Sequence, residues 1–305
     1  MHLPAGPDDP GATCADTHDP RPCPCPIALA GPISNIKSRK VAALSARALR
    51  PLRPAPAVPN RRRSMFLTFE DRPSDSPFIE RVWRARTIDG GVFHSIAESN
   101  LELVVTRLPG LTRVTLRGPV TRPSMADCPA NGQWIAIRFR LGTYLPRIPT
   151  ALLLDHNSLD LPVTADDRFW FEDAAWEIPT FENAEVLVQR LARHGAVGRD
   201  PAVGAAISGD RQALSRRSVQ RHFLHATGMT HTQLRQIERA RFAVDLLRSG
   251  SSILDVVSDA GYFDQAHLTR SLQRLTGQTP MKILRKEAQL SFLYKAIRPP
   301  TAMID

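Results

Sequence analysis

The side chains best fitted to recognition chemistry sit on one short stretch, Ser215-Arg-Arg-Ser-Val-Gln-Arg-His-Phe-Leu-His-Ala-Thr227. Val219, Phe223 and Ala226 recur there at spacings of four and three, which on a helix makes one apolar face. Arg216, Arg217, Gln220 and Arg221 fall off that face. Guanidinium and carboxamide groups present paired hydrogen-bonding atoms in a plane. Arg matches the major-groove edge of guanine, Gln matches that of adenine, and a single helix is an element that groove admits. The plain alternative is a solvated, Arg-rich helix face.

Such side chains need a scaffold, and the flanking residues supply one. Asp200-Pro201 pairs a capping side chain with Pro at a first helical position and predicts a short helix to about Ile207. The turn Ser208-Gly-Asp-Arg-Gln follows, Ser215 caps the polar helix and Gly228 closes it. A long helix is expected from about Thr230 to Ser249, with Leu234, Ile237, Ala240, Val244 and Leu247 as its core stripe and Gly250 at its end. Ser252-Ile-Leu-Asp255 reads as a capping box with Asp in the Glu position. It opens a short helix that stops at Gly261, and Tyr262-Phe263 is expected to pack the turn. Asp264 caps a second polar helix, Gln265 to Leu275, ended by Gly277, and Thr279-Pro280 starts a last one. Short helix, turn and exposed polar helix thus occur twice, about 50 residues apart. Two such units could enter successive major-groove turns roughly 34 Å apart on one face of a duplex.

The stretch Ala260-Gly-Tyr-Phe-Asp-Gln-Ala-His-Leu-Thr-Arg-Ser-Leu-Gln-Arg-Leu-Thr-Gly-Gln-Thr-Pro280 resembles the C-terminal signature of the AraC/XylS family of transcription regulators. Leu214 to Met229 resembles that family's first recognition helix, and Ile237 to Leu247 is similar to its linker helix. The resemblance covers about residues 182–290. It implies sequence-specific DNA binding as an activator or repressor, beside an N-terminal β-barrel used for effector binding or dimerisation. By position in the motif it implies that Arg217, Gln220 and Arg221 face bases or phosphates from the first unit, and Gln265, His267 and Arg270 from the second. Double-stranded DNA is the expected partner. RNA polymerase, a small-molecule effector and a second copy of the chain are further candidates. The sequence departs from the family pattern in two places. Asp264 and Ala266 stand where small polar or amide residues are common, and the turn Ser208–Leu214 is longer than usual.

Ahead of the helices, residues 65–179 read as a β-rich regulatory domain, a barrel or sandwich of the cupin kind, so that the whole is an α+β chain. Phe93–Ala97, Leu101–Thr106, Arg113–Arg117 and Trp134–Phe139 are short runs rich in β-branched and aromatic residues. Asp89-Gly-Gly, Leu108-Pro-Gly and Ala130-Asn-Gly are turn signals between them. Residues 141–179 read as irregular, anchored by Trp170, Phe171 and Trp176. His94, Glu98 and Glu102 suggest a metal site but lack a second His, and ordinary surface residues are the expectation. No nucleophile motif, Gly-rich phosphate loop or carboxylate pair is legible, and Cys128 has no visible partner to activate it. The expectation is therefore a protein without catalytic, cofactor or metal sites.

Charge agrees with this division. The formal net charge is +10, distributed as +6 over residues 1–64, −3 over 65–179 and +7 over 180–305. A basic folded segment suits a polyanion. Residues 1–64 hold 12 of the 26 prolines and read as a disordered leader. The composition turns globular at Met65, a candidate translation start. Residues 291–305 read as a tail. Cys14, Cys23 and Cys25 lie in the leader without metal spacing, and four cysteines are too few for a disulfide framework. That cysteine usage fits a reducing cytoplasm, the expected location, and no apolar run is long enough to span a bilayer.

Overall fold

The structure is a computed structural model that describes residues 67–155, 158–208 and 215–285. The leader, its three cysteines, the candidate start at Met65, most of the turn 208–214 and the tail lie outside the described residues. The described residues belong to one compact unit.

The first half is strand-rich. Its elements are β1 (Leu67–Pro73), β2 (Ile79–Thr87), β3 (Gly91–Ser95), β4 (Glu102–Leu108), β5 (Leu111–Arg117), β6 (Ser124–Cys128), β7 (Gln133–Phe139), β8 (Thr143–Tyr144), β9 (Ser158–Leu161), β10 (Arg168–Phe171) and β11 (Ala174–Glu177). Six strands form an antiparallel sheet in the order β1-β2-β7-β4-β5-β9, while β3 pairs with β6 and β10 with β11. Alternation along the strands feeds two apolar layers. Leu103, Val105 and Ile137 face one, together with Phe139, Phe169 and Phe181. Val104 and Ala136 face the other, with Leu67, Trp83 and Ala85. The β4–β5 hairpin turns at Gly110, whose φ of 74° is the left-handed conformation a side chain would resist. Residues 141–179 are more regular than their sequence suggests, since β8 to β11 and the 3-10 turn Thr150–Leu153 occupy them. Phe171 is buried, but Trp170 is 48% exposed and is no anchor. It points away because β10 is four residues long and alternates, with Phe169 and Phe171 taking the inner face.

The second half is helical: α1 (Ala184–Arg193), then after the short strand β12 (Gly198–Arg199, paired with β8) α2 (Pro201–Ser208), α3 (Arg216–Thr227), α4 (His231–Ser249), α5 (Ile253–Asp259), α6 (Gln265–Thr276) and α7 (Pro280–Leu284). Two small cores share α4. Val203 of α2, Phe223 and Ala226 of α3 and Leu234 of α4 make the first. Ile237, Val244 and Leu247 of α4, Val256 of α5, Leu268, Leu272 and Leu275 of α6 and Ile283 of α7 belong to the second. Ile96 and Ala97, between β3 and β4, are packed into that second helical core.

Candidate nucleic-acid interface

Each polar helix starts and stops on local chemistry. Ser215 precedes α3 in extended backbone, and its hydroxyl accepts from the Ser218 N–H. Asp264 does the same for α6, accepting from the His267 N–H at 2.6 Å. These side chains satisfy amides that have no partner within the helix. Both helices end on a left-handed glycine, Gly228 and Gly277, each with φ of 69°. Between them, Thr230 and Gln233 form a full capping box at the start of α4. The Asp200 carboxylate accepts from the Ala202 N–H at 2.9 Å at the head of α2, and its other oxygen lies 2.7 Å from Nδ1 of His222 on α3. One side chain therefore caps the supporting helix and holds the polar helix against it.

Packing leaves a polar face on each. On α3, Phe223, Ala226 and Thr227 are buried while Arg217, Gln220 and Arg221 are exposed. Arg216 opens the helix. On α6, Leu268, Leu272 and Leu275 are buried while Gln265, Ala266, Arg270 and Gln273 are exposed. His267 is different. Its ring meets Tyr262 edge-on at 5.1 Å, and its Nδ1 accepts from the Phe263 N–H at 3.4 Å. It is half-buried and braces the turn. The turn itself departs from expectation: Tyr262 is packed, with its hydroxyl 3.2 Å from Ser271 Oγ, but Phe263 is 90% exposed. Between the left-handed Gly261 and the extended Asp264 cap, the turn directs Tyr262 inward and leaves the Phe263 ring outside.

Along α4 the polar face continues. A cleft of about 520 Å³ runs between α4 and α6, lined by His231, Arg235 and Arg239 from one side and His267, Arg270 and Arg274 from the other. Arg274 donates to Gln236 Oε1 at 2.7 Å, and the Arg239 guanidinium sits 5.7 Å from the centroid of the Tyr262 ring. Burial and the neighbouring Arg235 push the His231 imidazole below its usual range.

The strand-rich half grips the same helices from behind. Glu98 ion-pairs with Arg138 of β7 and, at 2.7 Å, with Arg241 of α4. Arg138 is 0% exposed and also meets Glu102 at 3.3 Å. Ser99 Oγ donates to Glu238 of α4, and the Ala97 N–H donates to the Leu275 carbonyl at 2.8 Å. Glu98 and Glu102 are thus partners of a buried arginine, while His94 stands apart at 3.5 Å from Gln278. Burial raises the Glu80 carboxyl, which accepts from Asn100 at 2.8 Å beside this cluster. The first unit is held too: Thr150 Oγ1 donates to the Ala226 carbonyl at 3.2 Å, and a Cβ on Gly228 would lie 2.9 Å from the Ala151 Cα. Pro123 stands 3.5 Å from the equivalent point on Gly277. Sequence reasoning had no access to this network, because its members lie up to 143 residues apart.

Among the described residues no group of three or more His, Cys, Asp or Glu could hold a metal ion, and no helix is long and apolar enough to cross a membrane. Cys128 is buried, and burial with the adjacent Asp127 pushes its thiol up, away from the reactive thiolate.

Residues 210–286 match a family model described as a helix-turn-helix domain. Over 69 residues the chain is 38% identical to the HTH-type transcriptional regulator RipA of Corynebacterium glutamicum. That alignment takes in 23% of this chain, and the chain spans about a fifth (21%) of the curated relative's length. Among solved structures, ToxT from Vibrio cholerae aligns with 71% of this chain and 98% of its own at a TM-score of 0.36 and 11% identity.

Proposed function

We propose, from the match of residues 210–286 to a helix-turn-helix domain model, that this protein is a sequence-specific DNA-binding transcription regulator that lays α3 and α6 in adjacent major-groove turns. The observation that carries the reading is the paired construction of those helices. Each is capped by a side chain, closed by a left-handed glycine and packed by one apolar stripe, and each leaves Arg and Gln on its outer face. Arg217, Gln220 and Arg221, with Arg216 at the helix start, are the proposed reading residues of the first unit. Gln265 and Arg270 are those of the second, with His267 bracing the helix at its head.

The proposed division is a regulatory domain over 65–179, a DNA-binding domain over 180–290, and the leader and tail outside them. The strand-rich half is the proposed seat of an effector or of a second copy, RNA polymerase the proposed downstream partner, and the cytoplasm the place where all would meet. Activation suits the reading as well as repression does. An enzyme fused to a DNA module that works through Cys128 is disfavoured, because burial and Asp127 push that thiol up, away from the nucleophilic thiolate.

Selection of residues 65–305 against a random DNA library at controlled salt tests the reading. Two enriched half-elements about one helical turn apart are expected. Arg221→Ala and Arg270→Ala should each weaken binding to the selected site by roughly 1–3 kcal/mol and relax preference within one half-element. Retention of DNA without any enriched motif would count against sequence-specific regulation.

A further inference from the structure

The outer helix faces carry the proposed base reading; the cleft between α4 and α6 shares Arg270 and His267 with the face of α6 and adds cations the reading does not use. It is walled by α4, the helix that joins the two units in sequence, and by α6 with the turn before it. His231, Arg235 and Arg239 form a row on α4 at one-turn spacing, and Arg270 and Arg274 form a matching row on α6. Among the described residues that line it there is no Asp or Glu. Two of the cations are also held in place: Arg274 by Gln236, and Arg239 by the Tyr262 ring and the Gly261 carbonyl at 3.4 Å. Pre-oriented guanidinium groups lose little entropy on meeting a planar anion edge, and they hydrogen-bond phosphate bidentately.

We propose that this cleft seats the phosphodiester backbone of the strand that passes between the two half-elements, with Arg235, Arg239 and Arg274 as its phosphate contacts. The proposal rests on the DNA-binding reading and extends it from the reading helices to the linker helix. Charge complementarity selects the occupant. A duplex presents one phosphate charge per roughly 1.7 Å of axis, and two arginine rows flanking an open cleft match a charged strand better than a compact, isolated anion. These contacts would position the protein on DNA without telling one sequence from another.

The test uses the full chain and the DNA site it selects. Each phosphate contact contributes about 0.9 to the slope of log binding constant against log salt. The double variant R235Q/R274Q should lower that slope by about 2, weaken selected and scrambled DNA by the same factor, and leave the enriched motif unchanged. R235K/R274K should recover most of the slope, since it returns the charge. Matched circular dichroism and melting curves establish that both variants fold. An unchanged slope in folded R235Q/R274Q overturns the proposal. So does weakened binding of inorganic tripolyphosphate with DNA binding intact, which would assign the cleft to a free anion. Wild-type chain that shows no salt-dependent DNA binding would instead sink the DNA-binding reading itself, and the proposal with it.

Discussion

Asp245, on the linker helix α4, shows how much one residue can be displaced by its surroundings. Burial lifts its carboxyl from an ordinary 3.8 to about 6, outweighing the attraction of Arg241 and Arg248. The folded protein therefore binds this proton more tightly than the unfolded chain does. The stabilisation is present below the unfolded value and lost as pH rises through the folded one, so between about pH 4 and 6 the native state takes on a cost. Asp245→Asn should be more stable than wild type at pH 7 by on the order of 2 kcal/mol, with the advantage closing below about pH 4. Denaturant titrations at pH 3.5, 5 and 7 check this, and an advantage that does not change with pH would contradict it. At this scale the sequence was legible where a side chain acts on its own backbone. Ser215, Asp264, Gly228 and Gly277 cap as expected because capping is settled within four residues. Phe263 was not legible, because whether an aromatic in a turn goes inward depends on what lies beneath it.

Among the elements, α6 depends most plainly on its stripe. Leu268 and Leu272 are fully buried in the second helical core. Leu268→Asp should unfold that unit by placing an unpaired charge in an apolar site. The expected outcome is loss of helical signal and of all specific DNA binding, and a cooperative unfolding midpoint equal to that of wild type would refute the packing. The longer helices α3, α4 and α6 were readable because their 3.6-residue period runs for three turns or more, and the short α2, α5 and α7 because a capping residue or proline marks their start. Strands β4, β5 and β7 were readable as apolar runs bounded by Gly and Asn turns. Strands β1 and β2 were not: Leu67–Pro73 mixes charges and a proline at a sheet edge, and Ile79–Thr87 interleaves three arginines and one glutamate among its apolar residues. The arginines have partners that become visible only in the fold. Arg72 of β1 forms a bidentate pair with Glu185 of α1, at 2.6 and 2.8 Å, and holds that carboxyl down to about 2. Strands β10 and β11 are four residues each, too short for alternation to stand out.

For the whole molecule, the decisive contacts join its two halves. Glu98 serves both Arg138 and Arg241, and Arg138 has no exposure to water. Glu98→Gln leaves Arg138 with Glu102 alone and should cost on the order of 3 kcal/mol, as loss of one partner from a buried pair does. Urea unfolding measures it, and a loss under about 0.5 kcal/mol would show the cluster to be screened. None of this was readable from the chain, since no local pattern relates residue 98 to residues 138 and 241. The two glycines that end α3 and α6 carry a further consequence. Both back onto the strand-rich half, at Ala151 and at Pro123, so the ends of α3 and α6 are both placed against that half. In the DNA-binding reading, such a protein measures phase: it accepts two half-elements only when they face the same side of the duplex. One base pair inserted between them turns the second by about a tenth of a full rotation. The misfit would then fall on the DNA as twist and bend, to a degree set by how deformable the intervening sequence is. The bases between the half-elements would thus be selected for flexibility while touching no side chain.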